Sequence, residues 1–166
     1  MKTCVVYYSR SGNCRYFAGE LVKKVGADVL VELVEKENRK GIFGFMKGGF
    51  QGVTGKAARL VGEPWKKIED CGRIYLVGPI WAGNTCPAVN GFLAQADLAD
   101  KGVIAITLQS DEKRKKAGEV FNGIRRRVEQ AGGRLAASHA LHSAPPGRFA
   151  GKEKLLGELE KVTQGE

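Results

Sequence analysis

The sequence predicts a doubly wound α/β domain, and three features predict it. Short runs rich in β-branched and aromatic residues recur along the chain, helical apolar patterns separate them, and turn-forming clusters close them. Strands alternating with helical patterns imply βαβ units, right-handed crossovers and a parallel sheet covered on both faces. Five such runs suit the strand order 2-1-3-4-5.

The first run is Thr-Cys-Val-Val-Tyr-Tyr at 3–8, ending in a Ser/Gly/Asn cluster. From Asn13 onward Phe17, Leu21, Val22 and Val25 recur at helical spacing, and Gly26 supplies a stop. A second strand fits Asp28–Val34, a third Ile74–Val77, a fourth Val103–Leu108 and a fifth Arg134–Leu141. Thr85 reads as a helix cap with Pro87 in the first turn, followed by an apolar face of Val89, Phe92, Leu93 and Ala96. Ala117, Val120, Phe121, Ile124 and Val128 mark another helix, which stops at Gly132-Gly133. The last helix runs from about Lys152 to Val162, with Leu155, Leu156 and Leu159 directed inward.

The 166 residues fit one domain, 1–166, with no internal repeat and no linker. An apolar content of 43% places the chain among globular proteins and away from disordered ones. No apolar run approaches the ~20 residues needed to span a bilayer, and the N-terminus lacks the long apolar core of a signal peptide. The expected location is therefore the cytoplasm. Cys4, Cys14, Cys71 and Cys86 are scattered, with no Cys-x-x-Cys pair and only His139 and His142 to join them. Four reduced thiols are expected, without zinc or disulfides.

A segment at 36–64 breaks the strand–helix rhythm. It is glycine-rich and basic, yet carries Ile42, Phe43, Phe45, Met46 and Phe50. Loops of this length are commonly functional or contain their own helix, and a short helix at Phe43–Val53 lying over the sheet or a ligand is expected. The net charge is +9, concentrated in residues 36–73 and in Lys113–Arg127. Such a surface would attract nucleic acid, anionic membrane, acidic proteins or phosphorylated ligands, or be simply a solvated face. No helix-turn-helix, zinc finger or aromatic RNA-binding motif points to specific nucleic-acid recognition.

In an open parallel sheet ligands bind beyond the carboxyl ends of the strands, where the strand order reverses. Here that is between strands one and three. After strand one stands Ser9-Arg10-Ser11-Gly12-Asn13-Cys14, hydroxyls and a glycine leading into a helix. This is either an anion site at a helix start or an ordinary capped turn. A dinucleotide fingerprint fails because Gly12 is the only one of its glycines present, and a Walker loop fails at Phe50 and Ala57 around Gly55-Lys56. After strand three stands Gly78-Pro79-Ile80-Trp81-Ala82-Gly83-Asn84-Thr85, where Trp81 either covers a flat ring or plugs the top of the core.

With both loops in view, YYSRSGNCRYFAGEL resembles the flavodoxin phosphate loop, and GPIWAGNTCPAVNGFL resembles that family's second FMN loop and its following helix. The resemblance extends to the strand–helix order over nearly the whole chain. It implies that Ser9, Arg10, Ser11, Gly12, Asn13 and Cys14 hold the FMN phosphate. Pro79, Ile80, Trp81, Ala82 and Gly83 would then border the ribityl chain and isoalloxazine ring. A third loop falls near Leu108, Gln109, Ser110 and Asp111. Cys14 stands where the family has a hydroxyl; a thiol there is reactive if the helix start lowers its pKa and inert if it is buried.

FMN would carry the chemistry, so no catalytic acid or base is named. One reading is an FMN-dependent oxidoreductase that takes electrons from NAD(P)H or a reductase to a small acceptor, with Arg10, Lys113 and Lys115 attracting a phosphorylated donor. A second is a flavodoxin-type electron carrier whose basic surface selects acidic protein partners. A third is a flavin-free binding module on the same fold.

Overall fold

The computed structural model describes residues 1–36 and 56–164. Its strands are β1 (Lys2–Tyr7), β2 (Val29–Glu32), β3 (Cys71–Trp81), β4 (Asn84–Thr85), β5 (Gly102–Gln109) and β6 (Arg134–His142). The helices are α1 (Asn13–Val25), α2 (Pro87–Leu93), α3 (Ala117–Gln130) and α4 (Lys152–Thr163), with a 3₁₀ turn at Pro64–Ile68. The main sheet is parallel in the order β2-β1-β3-β5-β6. That is the expected 2-1-3-4-5 arrangement, with the two-residue β4 added antiparallel to the end of β3.

The long apolar runs exist because these strands are covered on both faces. Along β1 the side chains alternate. Cys4 and Val6 join the layer containing Phe92, Ile124 and Val128, whereas Val5 and Tyr7 join the layer of Phe17, Leu21, Leu159 and Val162. α2 and α3 thus cover one face and α1 and α4 the other. Gly26 ends α1 at φ 63°, with its N–H bonded to the Val22 carbonyl, a left-handed cap that a side chain would oppose.

Several expectations need correction. Thr85 does not cap α2; Cys86 holds that position and Thr85 pairs with Ile80. The reason is a two-residue hairpin at Ala82-Gly83, which folds the chain back before the helix begins. Strand three runs to Trp81 rather than stopping at Val77. Pro79 is tolerated in it because β1 has already left the sheet: the last bond between them is from Tyr8 N–H to the Val77 carbonyl, and Pro79 pairs toward Leu108 of β5. Leu156 is exposed, because the buried stripe of α4 is Leu155, Leu159 and Val162, and Leu156 lies one step round the helix.

The cysteines also differ from expectation. Cys4 and Cys71 are joined as a disulfide, and Cys14 and Cys86 are free and buried. The parallel pairing of β1 with β3 brings together Cα atoms 67 residues apart in sequence to 6.1 Å, a proximity that linear spacing cannot reveal.

The helix expected at Phe43–Val53 lies outside the described residues. The chain on either side of that segment runs side by side, with Lys36 N–H on the Arg59 carbonyl and Val61 N–H on the Val34 carbonyl. The returning strand presses on α2 through Ala58 N–H to Pro87 O, and through Asn90 Nδ2 to Lys56 O. No helix among the described residues is long and apolar enough to cross a membrane.

Two tests follow. A Cβ at Gly91 would collide with the Ala58 carbonyl oxygen, which is backbone and cannot swing aside. Gly91→Ala should therefore cost about 1–3 kcal/mol in denaturant unfolding, as overpacking does; an unchanged midpoint would refute the close approach. Unfolded without reductant, the chain should titrate two thiols, Cys14 and Cys86, and all four only after reduction.

Candidate functional site

At the carboxyl edge of the sheet, β1 gives way to the turn Ser9–Gly12 and then to α1. Gly12 sits at φ 88°, which only glycine adopts without strain, and no side chain caps the helix. The first helical bond is from Tyr16 N–H to the Gly12 carbonyl at 3.0 Å. The amides of Asn13, Cys14 and Arg15 therefore head the helix with no helical acceptor. No acidic residue occupies the first turn. The helix dipole and these donors together favour an anion at this point.

Asn13 is buried and its side chain is fully engaged. Its Nδ2 donates to Ser11 Oγ at 2.9 Å and to the Arg148 carbonyl at 2.7 Å, and its Oδ1 accepts from Ala150 N–H at 2.8 Å. It fastens the segment after β6 to the head of α1. Tyr16 and Phe149 reinforce the join edge to face, with ring centroids 6.0 Å apart. Since Ser11 Oγ accepts from Asn13, its own proton is left to point elsewhere.

On the other side of the crevice β3 overshoots β1 and turns at Ala82-Gly83, with φ of 48° and 75°. Two consecutive positive φ values define a type I′ hairpin loop. The hairpin holds Trp81 upright, with the indole edge-on to Tyr8 at 5.7 Å and the Arg10 guanidinium 5.8 Å from its ring centroid.

The third wall follows β5. Asp111 organises it by accepting from Lys113 N–H at 3.1 Å and Lys115 N–H at 3.0 Å. Arg114, at φ 49°, reaches away to Glu158 of α4 at 3.9 Å. Glu158 also accepts from His142 N–H at 3.1 Å and pairs with Lys161. Burial pushes its carboxyl up, but Lys161, the His142 N–H and Arg114 outweigh that and hold it below the ordinary carboxylate range.

These walls enclose two adjoining cavities. The smaller, about 60 Å³, brings Ser9, Arg10, Ser11, Asn13 and Cys14 together with Pro79, Ile80, Trp81, Leu108, Gln109 and Ser110. The larger, about 500 Å³, shares Arg10, Ile80, Trp81, Gln109, Ser110 and Pro146 and adds Ala82, Gly83, Asp111, Lys115 and Lys116. Of the fifteen candidate residues in the three loops, Gly12 alone lies off both walls; it shapes the turn instead. The sequence reading missed a fourth wall, Ser143–Gly147, which closes the smaller cavity. Its signal was available: Ser-Ala-Pro-Pro-Gly is a turn cluster directly after a strand that ends on the same edge.

The polar atoms of the smaller cavity show what would fit it. Ser9 Oγ and Ser143 Oγ are buried with no hydrogen-bond partner among the described residues. Buried hydroxyls are rarely left so, and these two line the chamber headed by the uncapped amides of α1. Oxygens of a phosphate would satisfy all of them. Cys14 is not a reactive thiol here: burial, then neighbouring Cys86, push its pKa well above the ordinary value.

No family model and no curated protein matches the chain. Solved structures do. A flavoprotein in complex with FMN from Lactobacillus acidophilus is 18% identical at a TM-score of 0.63, covering 84% of this chain and 92% of its own. The Trp repressor binding protein of Bacillus subtilis is 15% identical at 0.66, covering 98% of each chain. Oxidised flavodoxin 1 of Bacillus cereus is 15% identical at 0.56, covering 97% of this chain and 94% of its own. At these identities the shared feature is the fold, which is flavodoxin-like.

The Glu158 cluster supplies a test. Its depressed native pKa stabilises the fold above the ordinary carboxylate range and loses that contribution as pH falls through the native value. Glu158→Gln should destabilise by roughly 1.5–3 kcal/mol at neutral pH, the scale of hydrogen bonds to charged groups. It should also shrink the further loss seen on acidification through and below the ordinary carboxylate range. Equal acid sensitivity in both proteins, read by thermal unfolding, would contradict this.

Proposed function

We propose that the cleft binds FMN, phosphate in the smaller chamber and isoalloxazine ring in the larger, and that the domain is an FMN-dependent oxidoreductase. It would take electrons from NAD(P)H or a reductase and deliver them to a small acceptor. The observation that carries the reading is the convergence of Ser9 Oγ, Ser143 Oγ and the uncapped head of α1 on one small chamber that opens beside Trp81. The FMN-bound flavoprotein from Lactobacillus acidophilus, which shares the fold, supports the choice of ligand.

When bound, FMN supplies the reversible electron uptake that no side chain here provides. The residues of this chain do the holding. The amides of Asn13, Cys14 and Arg15 donate to the phosphate, joined by the hydroxyls of Ser9, Ser11 and Ser143. Asn13 acts from behind, orienting Ser11 and keeping the Ser143–Gly147 wall closed. Trp81, braced by Tyr8, offers an apolar face to the flat ring. Ile80 and Gln109 extend that bed between the two chambers. Pro79 and Leu108, paired across β3 and β5, make the floor rigid.

Titration of the apoprotein with FMN and, separately, with riboflavin tests the reading. FMN should bind far more tightly than riboflavin. Ser9→Ala and Ser143→Ala should each weaken FMN by about 1.5–3 kcal/mol, as for a hydrogen bond to a charged group, and leave riboflavin unchanged. Trp81→Ala should weaken both by roughly 0.5–1.5 kcal/mol. Equal affinity for the two flavins, or no binding of either at millimolar concentration, would overturn the reading.

A further inference from the structure

The larger chamber carries a feature that holding FMN does not require, a cationic rim. Arg10 enters it from the turn after β1, and Lys115 and Lys116 from the segment after β5. Among the described residues one carboxylate, Asp111, stands on the same wall, so the balance there is three cations against one anion, a net +2. The Asp111 oxygens already accept from the main-chain amides of Lys113 and Lys115. No carboxylate among the described residues forms an ion pair with Lys115 or Lys116, whereas the neighbouring Arg114 is drawn away to Glu158. Lys116 lies across the hairpin tip: a Cβ at Gly83 would come 2.6 Å from its Cδ and 3.3 Å from its Nζ. The hairpin that positions Trp81 thus also holds an ammonium at the chamber mouth.

Resting on the FMN reading, we propose that Arg10, Lys115 and Lys116 make this chain a two-electron acceptor by stabilising negative charge on the reduced ring. Uptake of two electrons and one proton leaves the isoalloxazine with one extra negative charge. A reduced nicotinamide nucleotide supplies both electrons and that proton together and leaves as its oxidised pyridinium form, so no further co-reactant is needed. Cations around the bed favour this product over the neutral oxidised ring. A low-potential one-electron carrier needs the opposite field, with carboxylates discouraging charge on the ring. The same three cations therefore separate the enzyme reading from the carrier reading. Lys115 and Lys116 are exposed, so the effect weakens as salt rises.

The test is potentiometric titration of the FMN-loaded full chain with dithionite and an indicator dye, at low and high ionic strength. By linkage, the ratio of affinities for reduced and oxidised FMN sets the midpoint shift from free FMN. A tenfold preference for reduced FMN, a shift of about +30 mV for a two-electron couple, is expected at low salt. Lys115→Gln/Lys116→Gln should cut that preference at least threefold, and Lys115→Arg/Lys116→Arg should retain it. Absorbance should pass from oxidised to fully reduced without a long-wavelength one-electron species. A midpoint at or below that of free FMN, an unchanged double Gln variant, or an accumulating one-electron species would overturn the proposal while leaving FMN binding intact. A chain that fails to take up FMN would instead remove the underlying reading, and this proposal with it.

Discussion

Parallel pairing of β1 with β3 is the constraint from which the cleft, its walls and even the disulfide descend. Cys4 to Tyr7 lie beside Ile74 to Val77 in unbroken register, so both strands point their carboxyl ends at the same edge. Two parallel neighbours cannot be joined by a tight turn; each must leave over a face of the sheet. α1 departs on one side and α2 on the other, and the crevice is the gap that their divergence opens. Everything polar in the site is mounted on that gap. The head of α1 stands at one lip and the overshooting end of β3 at the other.

The walls are tied to one another, and the ties are local chemistry. Asn13 joins the first loop to the fourth through hydrogen bonds spanning 135 and 137 residues. Ser143 N–H joins the fourth to the third through the Gln109 carbonyl at 2.8 Å. Arg114 and His142 join the third wall and β6 to α4 through Glu158. A site built this way is preorganised: its donors are already fixed in place, which would limit the ordering that binding of the proposed phosphate must impose. The residues left over from these ties are informative. Ser9 and Ser143 keep unpartnered hydroxyls among the described residues, in the chamber headed by the uncapped amides of α1.

Much of this was legible in the sequence because parallel strands buried on both faces leave uninterrupted apolar runs, and because helix heads and strand-end turns use a small vocabulary of residues. Ser9–Cys14 and Pro79–Gly83 were found by that vocabulary, and the structure brings them to one crevice. What escaped depends on distance along the chain or on unusual residue choice. Ala82 carries a positive φ in a hairpin where asparagine or glycine would have announced the turn, so the sequence suggests a helix cap at Thr85 where the chain forms β4. Cys4 and Cys71 are neighbours only after the sheet forms. Ser143–Gly147 becomes a wall only because Asn13 pulls its neighbours down. Leu156 differs from Leu155 by one helical step, a phase that a run of leucines does not fix.

The central claim is spatial: one lip of the β1–β3 crevice grips a phosphate while the other shelters a planar ring. A crystal structure of the chain grown with FMN tests it most directly. The account predicts the phosphorus at the head of α1, within hydrogen-bonding reach of the Asn13 and Cys14 amides and the Ser143 hydroxyl, with the ring against Trp81. A phosphate held anywhere else, or a ring lying clear of Trp81, would contradict it.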